Sequence, residues 1–176
     1  MKDGDMNNYH VNGSLGLLSA KLSVEGPVIK EKGSFFASVR RSHISQLLRS
    51  DEFDMKFHDI NIKLNYIANS KNRFFLSGYF GNDLFYSGID INRSGIGWGN
   101  AAATLRWNHL FNDRIFSNTT FCMSRYDYFL LFSEVDNIYW NSFIGNIALK
   151  TDFTAFLNLR NTLRFGYNIN WHFFNP

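Results

Sequence analysis

Strict alternation of apolar and polar residues near the C-terminus restricts the fold more than any other feature of the chain. Leu163, Phe165, Tyr167, Ile169, Trp171 and Phe173 interleave with Thr162, Arg164, Gly166, Asn168, Asn170 and His172. Successive side chains of an extended strand point to opposite faces, so this period of two specifies a strand with one apolar and one polar face. An amphipathic helix would instead repeat its apolar positions every three to four residues.

The same period recurs upstream. Ile60, Ile62, Leu64 and Tyr66 alternate with Asp59, Asn61, Lys63 and Asn65; Phe74, Leu76 and Phe80 oppose Arg73, Ser77 and Tyr79. Ala101, Ala103, Leu105 and Trp107 oppose Asn100, Thr104, Arg106 and Asn108. Phe35, Ala37 and Val39 oppose Ser34, Ser38 and Arg40, and Phe143, Ile147 and Leu149 oppose Asn146, Lys150 and Asp152. Between Tyr9 and Val24 the phase flips, because Tyr9, Val11 and Leu15 are odd-numbered while Leu18, Ala20, Leu22 and Val24 are even. A bend or tight turn near Gly13 to Leu17 accounts for the flip. The pattern therefore predicts an all-β antiparallel meander of eight long strands, nine if the first folds into a hairpin.

Aromatics make up 18 % of the chain, with 19 Phe, 8 Tyr and 4 Trp, while Pro falls to 2. Such a balance favours strands. Mean hydropathy is nevertheless -0.22, as expected when each strand shows one face to lipid and the other to water. The longest apolar run, Tyr128 to Phe132, falls far short of the ~20 residues of a helical span.

Connections predicted short at 26–32, 68–72, 111–114 and 157–161 exchange with long ones predicted at 42–56, 82–97 and 129–142. Short turns at one end and long loops at the other characterise outer-membrane barrels. Lys63, Arg106, Lys150 and Arg164 all fall on the polar phase, where lipid would not meet them. Arg125 shares the apolar phase of Phe121 and Met123, but its distance from the turn at 111–114 places it near the outer rim, where a charge is tolerated. Trp98, Trp107, Tyr126, Tyr128, Tyr139, Trp140, Tyr167 and Trp171 lie near predicted strand ends and suggest interfacial aromatic girdles.

Signals for chemistry are weak. His10, His43, His58, His109 and His172 show no paired metal spacing, and the one cysteine, Cys122, has no internal partner. Gly95-Ile96-Gly97-Trp98-Gly99 lacks the spacing of a phosphate-cradling loop and reads as a flexible loop leading into a strand. Asp51, Glu52 and Asp54 read as a solvated acidic loop. A net charge of +3 with scattered Lys and Arg argues against nucleic acid. No enzyme activity and no cofactor are expected, and no residue stands out as a substrate-binding one.

Leu22-Ser23-Val24-Glu25-Gly26-Pro27, followed by Ser34-Phe35-Phe36-Ala37-Ser38-Val39-Arg40-Arg41, resembles the early barrel strands of TonB-dependent receptors, especially those of Bacteroidetes. Phe75-Leu76-Ser77-Gly78-Tyr79-Phe80-Gly81, Leu105-Arg106-Trp107-Asn108-His109-Leu110-Phe111-Asn112 and Leu163-Arg164-Phe165-Gly166 are similar in the same order, as is the closing Phe174-Asn175-Pro176. Met1-Lys2-Asp3-Gly4 resembles the exit from the plug domain.

The resemblance implies that residues 1–8 are a plug remnant and 9–176 the first strands of a transmembrane barrel of about 22 strands. It further implies location in the bacterial outer membrane, contact with its lipid, coupling to the TonB complex through a plug, and uptake of a scarce nutrient such as a siderophore, cobalamin, glycan or peptide. The chain holds no plug, no TonB box and no export signal, so a fragment is expected, with its last strand running outward at Pro176. Two alternatives stay open at this point. One is a complete eight-stranded outer-membrane barrel serving as anchor, adhesin or small channel. The other is a soluble β-sandwich or lipocalin-like binder, which requires Leu163, Phe165, Tyr167, Ile169 and Trp171 to point into a packed core.

Overall fold

The computed structural model describes residues 2–45, 52–89, 94–132 and 138–176. Nine strands among them form one antiparallel sheet whose spatial order is the order of the chain. They are β1 (His10–Leu15), β2 (Ser19–Ile29), β3 (Gly33–Ser42), β4 (Phe53–Asn69), β5 (Asn72–Ser87), β6 (Ser94–Asn112), β7 (Ile115–Phe132), β8 (Ile138–Phe156) and β9 (Thr162–Asn175). The sheet is open: β1 pairs with β2 and β9 with β8, and the two end strands do not meet.

The predicted break in the first stretch falls at residues 16–18, where the Gly16 N–H donates to Ser19 O at 2.9 Å and β1 folds back on β2 with Leu15 opposite Ala20. Three of the short connections contract, to 30–32, 70–71 and 113–114, and the fourth falls at 157–161 as expected. Three of them share one device. Asn69 Oδ1 accepts from the Lys71 amide, Asn112 Oδ1 from those of Arg114 and Ile115, and Asn158 Oδ1 from those of Arg160 and Asn161, all within 2.9 to 3.0 Å. A side-chain carbonyl held this way mimics a backbone turn and reverses the chain within a few residues.

The strands reach further into the stretches predicted as loops at 42–56, 82–97 and 129–142 than expected, β4 starting at Phe53, β5 running to Ser87, β6 starting at Ser94, β7 running to Phe132 and β8 starting at Ile138, with 43–52, 88–93 and 133–137 as the links between them. The glycine-rich stretch at 95–99 is likewise part of β6 rather than a loop. The reason lies across the sheet. A Cβ at Gly95 would stand 2.4 Å from the ring of Tyr86, its partner on β5, and one at Gly97 2.3 Å from that of Phe129, its partner on β7. Each ring lies over its glycine and covers backbone that the missing side chain would expose.

Gly26 beneath Tyr9 and Gly145 beneath Phe173 repeat the arrangement, with closest approaches of 2.2 and 1.9 Å. Gly145→Ala is expected to lower stability by about 1 kcal/mol, since the Phe173 ring must rotate aside. In chemical denaturation the double variant Gly145→Ala with Phe173→Ala should cost less than the sum of the single changes; strict additivity would mean that the pair does not interact.

Register fixes two faces. One carries an unbroken apolar row across seven strands: Phe35, Leu64, Leu76, Leu105, Phe121, Leu149 and Ile169 are successive cross-strand partners. One residue along each strand, the opposite face carries Ser34, Asn65, Phe75, Arg106, Thr120, Lys150 and Asn168. Among the described residues only Phe75 and Ala155 are buried hydrophobic side chains. Leu163, Phe165, Tyr167, Ile169 and Trp171 remain 43 to 60 % exposed, so the packed core required of a sandwich is absent from the described residues.

Candidate functional site: the polar concave face

Lys63 on β4 and Lys150 on β8 line one recess of about 250 Å³, so the sheet curves with its polar face inward. Phe75 forms the floor at 6 % exposure. Around its ring stand three cations: Arg106 with Cζ 4.2 Å from the ring centroid, Arg73 at 4.7 Å and Lys63 with Nζ at 5.8 Å. The aromatic face offers negative potential to each of them.

Their remaining valences are met unequally. Arg73 Nε donates to Asn65 Oδ1 at 2.8 Å, Lys150 pairs with Asp152 at 2.9 Å, and Lys63 pairs with Asp3. Arg106 Nε is buried and finds no partner among the described residues. Glu25 Oε2, Asn65 Nδ2 and the Oδ1 atoms of Asn108, Asn118 and Asn146 are in the same condition, and register places all of them on the concave face. Buried polar groups are costly without partners, so a face with this many suits water or a polar ligand rather than an apolar layer.

The N-terminal segment lies across part of this face. Lys2 pairs with the buried Glu25, and Asp3 with Lys63. Gly4 approaches β3 so closely that a Cβ there would stand 2.0 Å from Phe35 O. Asp5 closes a turn, its Oδ1 accepting from the amides of Asn7 and Asn8 at 2.7 and 3.0 Å, with His10 Nε2 3.0 Å from Oδ2. The Asn7 amide first, then that of Asn8 and the His10 ring, pull the Asp5 carboxyl down to about 2.

Toward the end of the sheet that carries links 43–52, 88–93 and 133–137, the concave face turns aromatic. Trp98, Tyr126, Tyr128 and Trp140 share its phase, so these four do not belong to an outward girdle as the sequence suggested. Trp98 Nε1 donates to Asp83 Oδ2 at 2.7 Å, which a lipid-facing indole does not need. Trp107, Tyr139, Tyr167 and Trp171 do lie on the outward face. Arg125 faces outward as expected. It stacks 4.1 Å from the Phe143 ring centroid and binds Asp127 at 2.6 to 3.0 Å, directing its charge toward the polar row of Arg41, His58, Asn82 and Asp127.

The histidines do not converge. His10 meets Asp5, His58 packs 5.9 Å from Phe80, and His109 sits between Trp107 and Phe111 with Nδ1 2.8 Å from Asn72 Oδ1. Among the described residues no three His, Cys, Asp or Glu side chains group as metal ligands. Of the acidic loop, Asp54 pairs with Lys56 at 2.6 Å, while Asp51 lies outside the described residues.

Sequence reasoning placed Lys63, Arg106 and Lys150 on the polar phase but missed that they share one recess, with Lys63 and Arg106 over the Phe75 ring. The available signal was the run Phe74-Phe75-Leu76, in which Phe75 puts an aromatic between Arg73 and Ser77 on the polar phase.

Fold and site together define a single-sheet all-β meander with one apolar and one polar face. Comparison with family models, with curated proteins and with solved structures finds no match.

Proposed function

We propose that the chain forms part of the wall of an outer-membrane β-barrel, of the kind that admits a scarce nutrient through a TonB-dependent receptor. The observation that carries this reading is the outward apolar belt. An unbroken row of large apolar side chains, most of them exposed, crosses the middle of one face of a single sheet, a surface that water would drive to association and that lipid accommodates. From Leu163 to Phe173 a strand advances about 34 Å, or about 26 Å along the membrane normal at a tilt of roughly 40°, close to the ~25 Å apolar band of such barrels.

The polar concave face suits a water-filled interior through which a siderophore, cobalamin, glycan or peptide passes. Resemblance to early barrel strands favours a TonB-dependent receptor over other barrels, with energy delivered by the TonB complex through a plug. The free edges at β1 and β9 give no support to a small closed barrel.

The test uses single cysteines placed one at a time from 119 to 124 in chain carrying Cys122→Ser, reconstituted in lipid. Cysteines at 120, 122 and 124 should react with a charged, water-soluble maleimide, and those at 119, 121 and 123 with a lipid-soluble one. Uniform reactivity with the charged reagent at every position would sink the membrane reading.

A further inference from the structure

We propose that the recess over Phe75 binds a small oxyanion, a phosphate or carboxylate group, with Arg106 as its principal donor. The inference rests on the reading of the concave face as a water-filled interior, and it names the class of ligand that this interior meets.

Three observations converge on it. The recess walls carry Lys63, Arg106 and Lys150 against one carboxylate, Asp152, leaving a positive excess. Arg106 is pressed on the Phe75 ring at 4.2 Å with its Nε buried and unpartnered, and a guanidinium fork is suited to bind two oxygens of one anion. Ser77, Thr104 and Thr120 supply hydroxyls to the same recess, able to donate to whatever oxygens the cations leave unmet.

The chain itself offers an example of the chemistry. The carboxylate of Asp3 is already seated on Lys63, so the face accepts an oxyanion next to the recess. Asp3 does not line the recess, and Lys150 is half-exposed despite its bond to Asp152. A second oxyanion can therefore enter between Lys150 and Arg106 without displacing the first.

The test is an NMR titration of the full chain in uncharged maltoside micelles, following the Arg106 side-chain Nε resonance at constant ionic strength. Inorganic phosphate and succinate are the two arms, and chloride is the control. A saturable shift with either arm and not with chloride is expected; phosphate alone identifies a phosphate site, succinate alone a carboxylate site. Arg106→Gln should weaken binding about tenfold or more, because a charge-assisted hydrogen bond is lost, and Arg106→Lys by less. Arg160→Gln, in the turn at 157–161, should leave binding unchanged.

Absence of a saturable shift in both arms would overturn the proposal, as would Arg106→Gln binding within about twofold of the parent chain. Circular dichroism in the same micelles separates this failure from failure of the wall reading. A folded chain that binds no oxyanion removes the ligand assignment alone, whereas a chain that folds in water and not with detergent or lipid removes the wall. A chain without β structure in any medium removes both, since the recess exists only in the folded sheet.

Discussion

Leu105→Arg is expected to cost about 2 to 4 kcal/mol of insertion into a bilayer. Leu105 lies in the middle of the outward belt, with Leu76 beside it on β5 and Phe121 on β7. An arginine there has no water within reach of its stem, unlike Arg125, whose charge lies close to a polar row and is bonded to Asp127. The control is one residue away in effect though not in chemistry. Thr104→Arg puts the same charge on the concave face and should insert nearly as well as the parent chain. Folding into lipid vesicles, followed by tryptophan fluorescence against urea, reads both. Equal losses for the two variants would show that the faces do not differ in environment, and the membrane reading would fall with them.

Phe75→Ala should destabilise the sheet by about 3 kcal/mol, at the lower end for a buried phenylalanine because the cavity opens to the concave face. The loss has two parts. One is the packing of a ring that is 6 % exposed. The other is the attraction of three cations to it, about 0.5 to 1 kcal/mol each where water is near. Phe75→Leu keeps much of the volume and removes the ring, so its own loss against the parent chain reads the second part, and the difference between the two variants in urea midpoint reads the first. A loss under about 1 kcal/mol for Phe75→Ala would mean that the ring is not the packing centre of this face.

Face assignment and turns were legible in the residues. Leu163 to Phe173 face outward as their alternation required, and the phase flip between Leu15 and Leu18 located the first reversal to within a residue of where the chain turns. Strand ends were not legible. Gly95 and Gly97 read as breakers until Tyr86 and Phe129, nine and thirty-two positions away, are brought over them. Trp98, Tyr126, Tyr128 and Trp140 were misplaced for a related reason: nearness to a strand end says nothing about the face, and parity had to be carried through strands longer than expected.

The residues by themselves determined an antiparallel meander with one apolar and one polar face, because strand direction and side-chain alternation are properties of each short segment and its neighbouring turn. The three asparagine turns and the hairpin at 16–18 belong to the same local chemistry. Only the tertiary structure decided how far the strands extend, which glycines lie beneath rings, and that Lys63, Arg73 and Arg106 gather about Phe75 with Lys150 in the same recess. Those outcomes depend on register and curvature, which bring together side chains separated by tens of residues, and no local period encodes them.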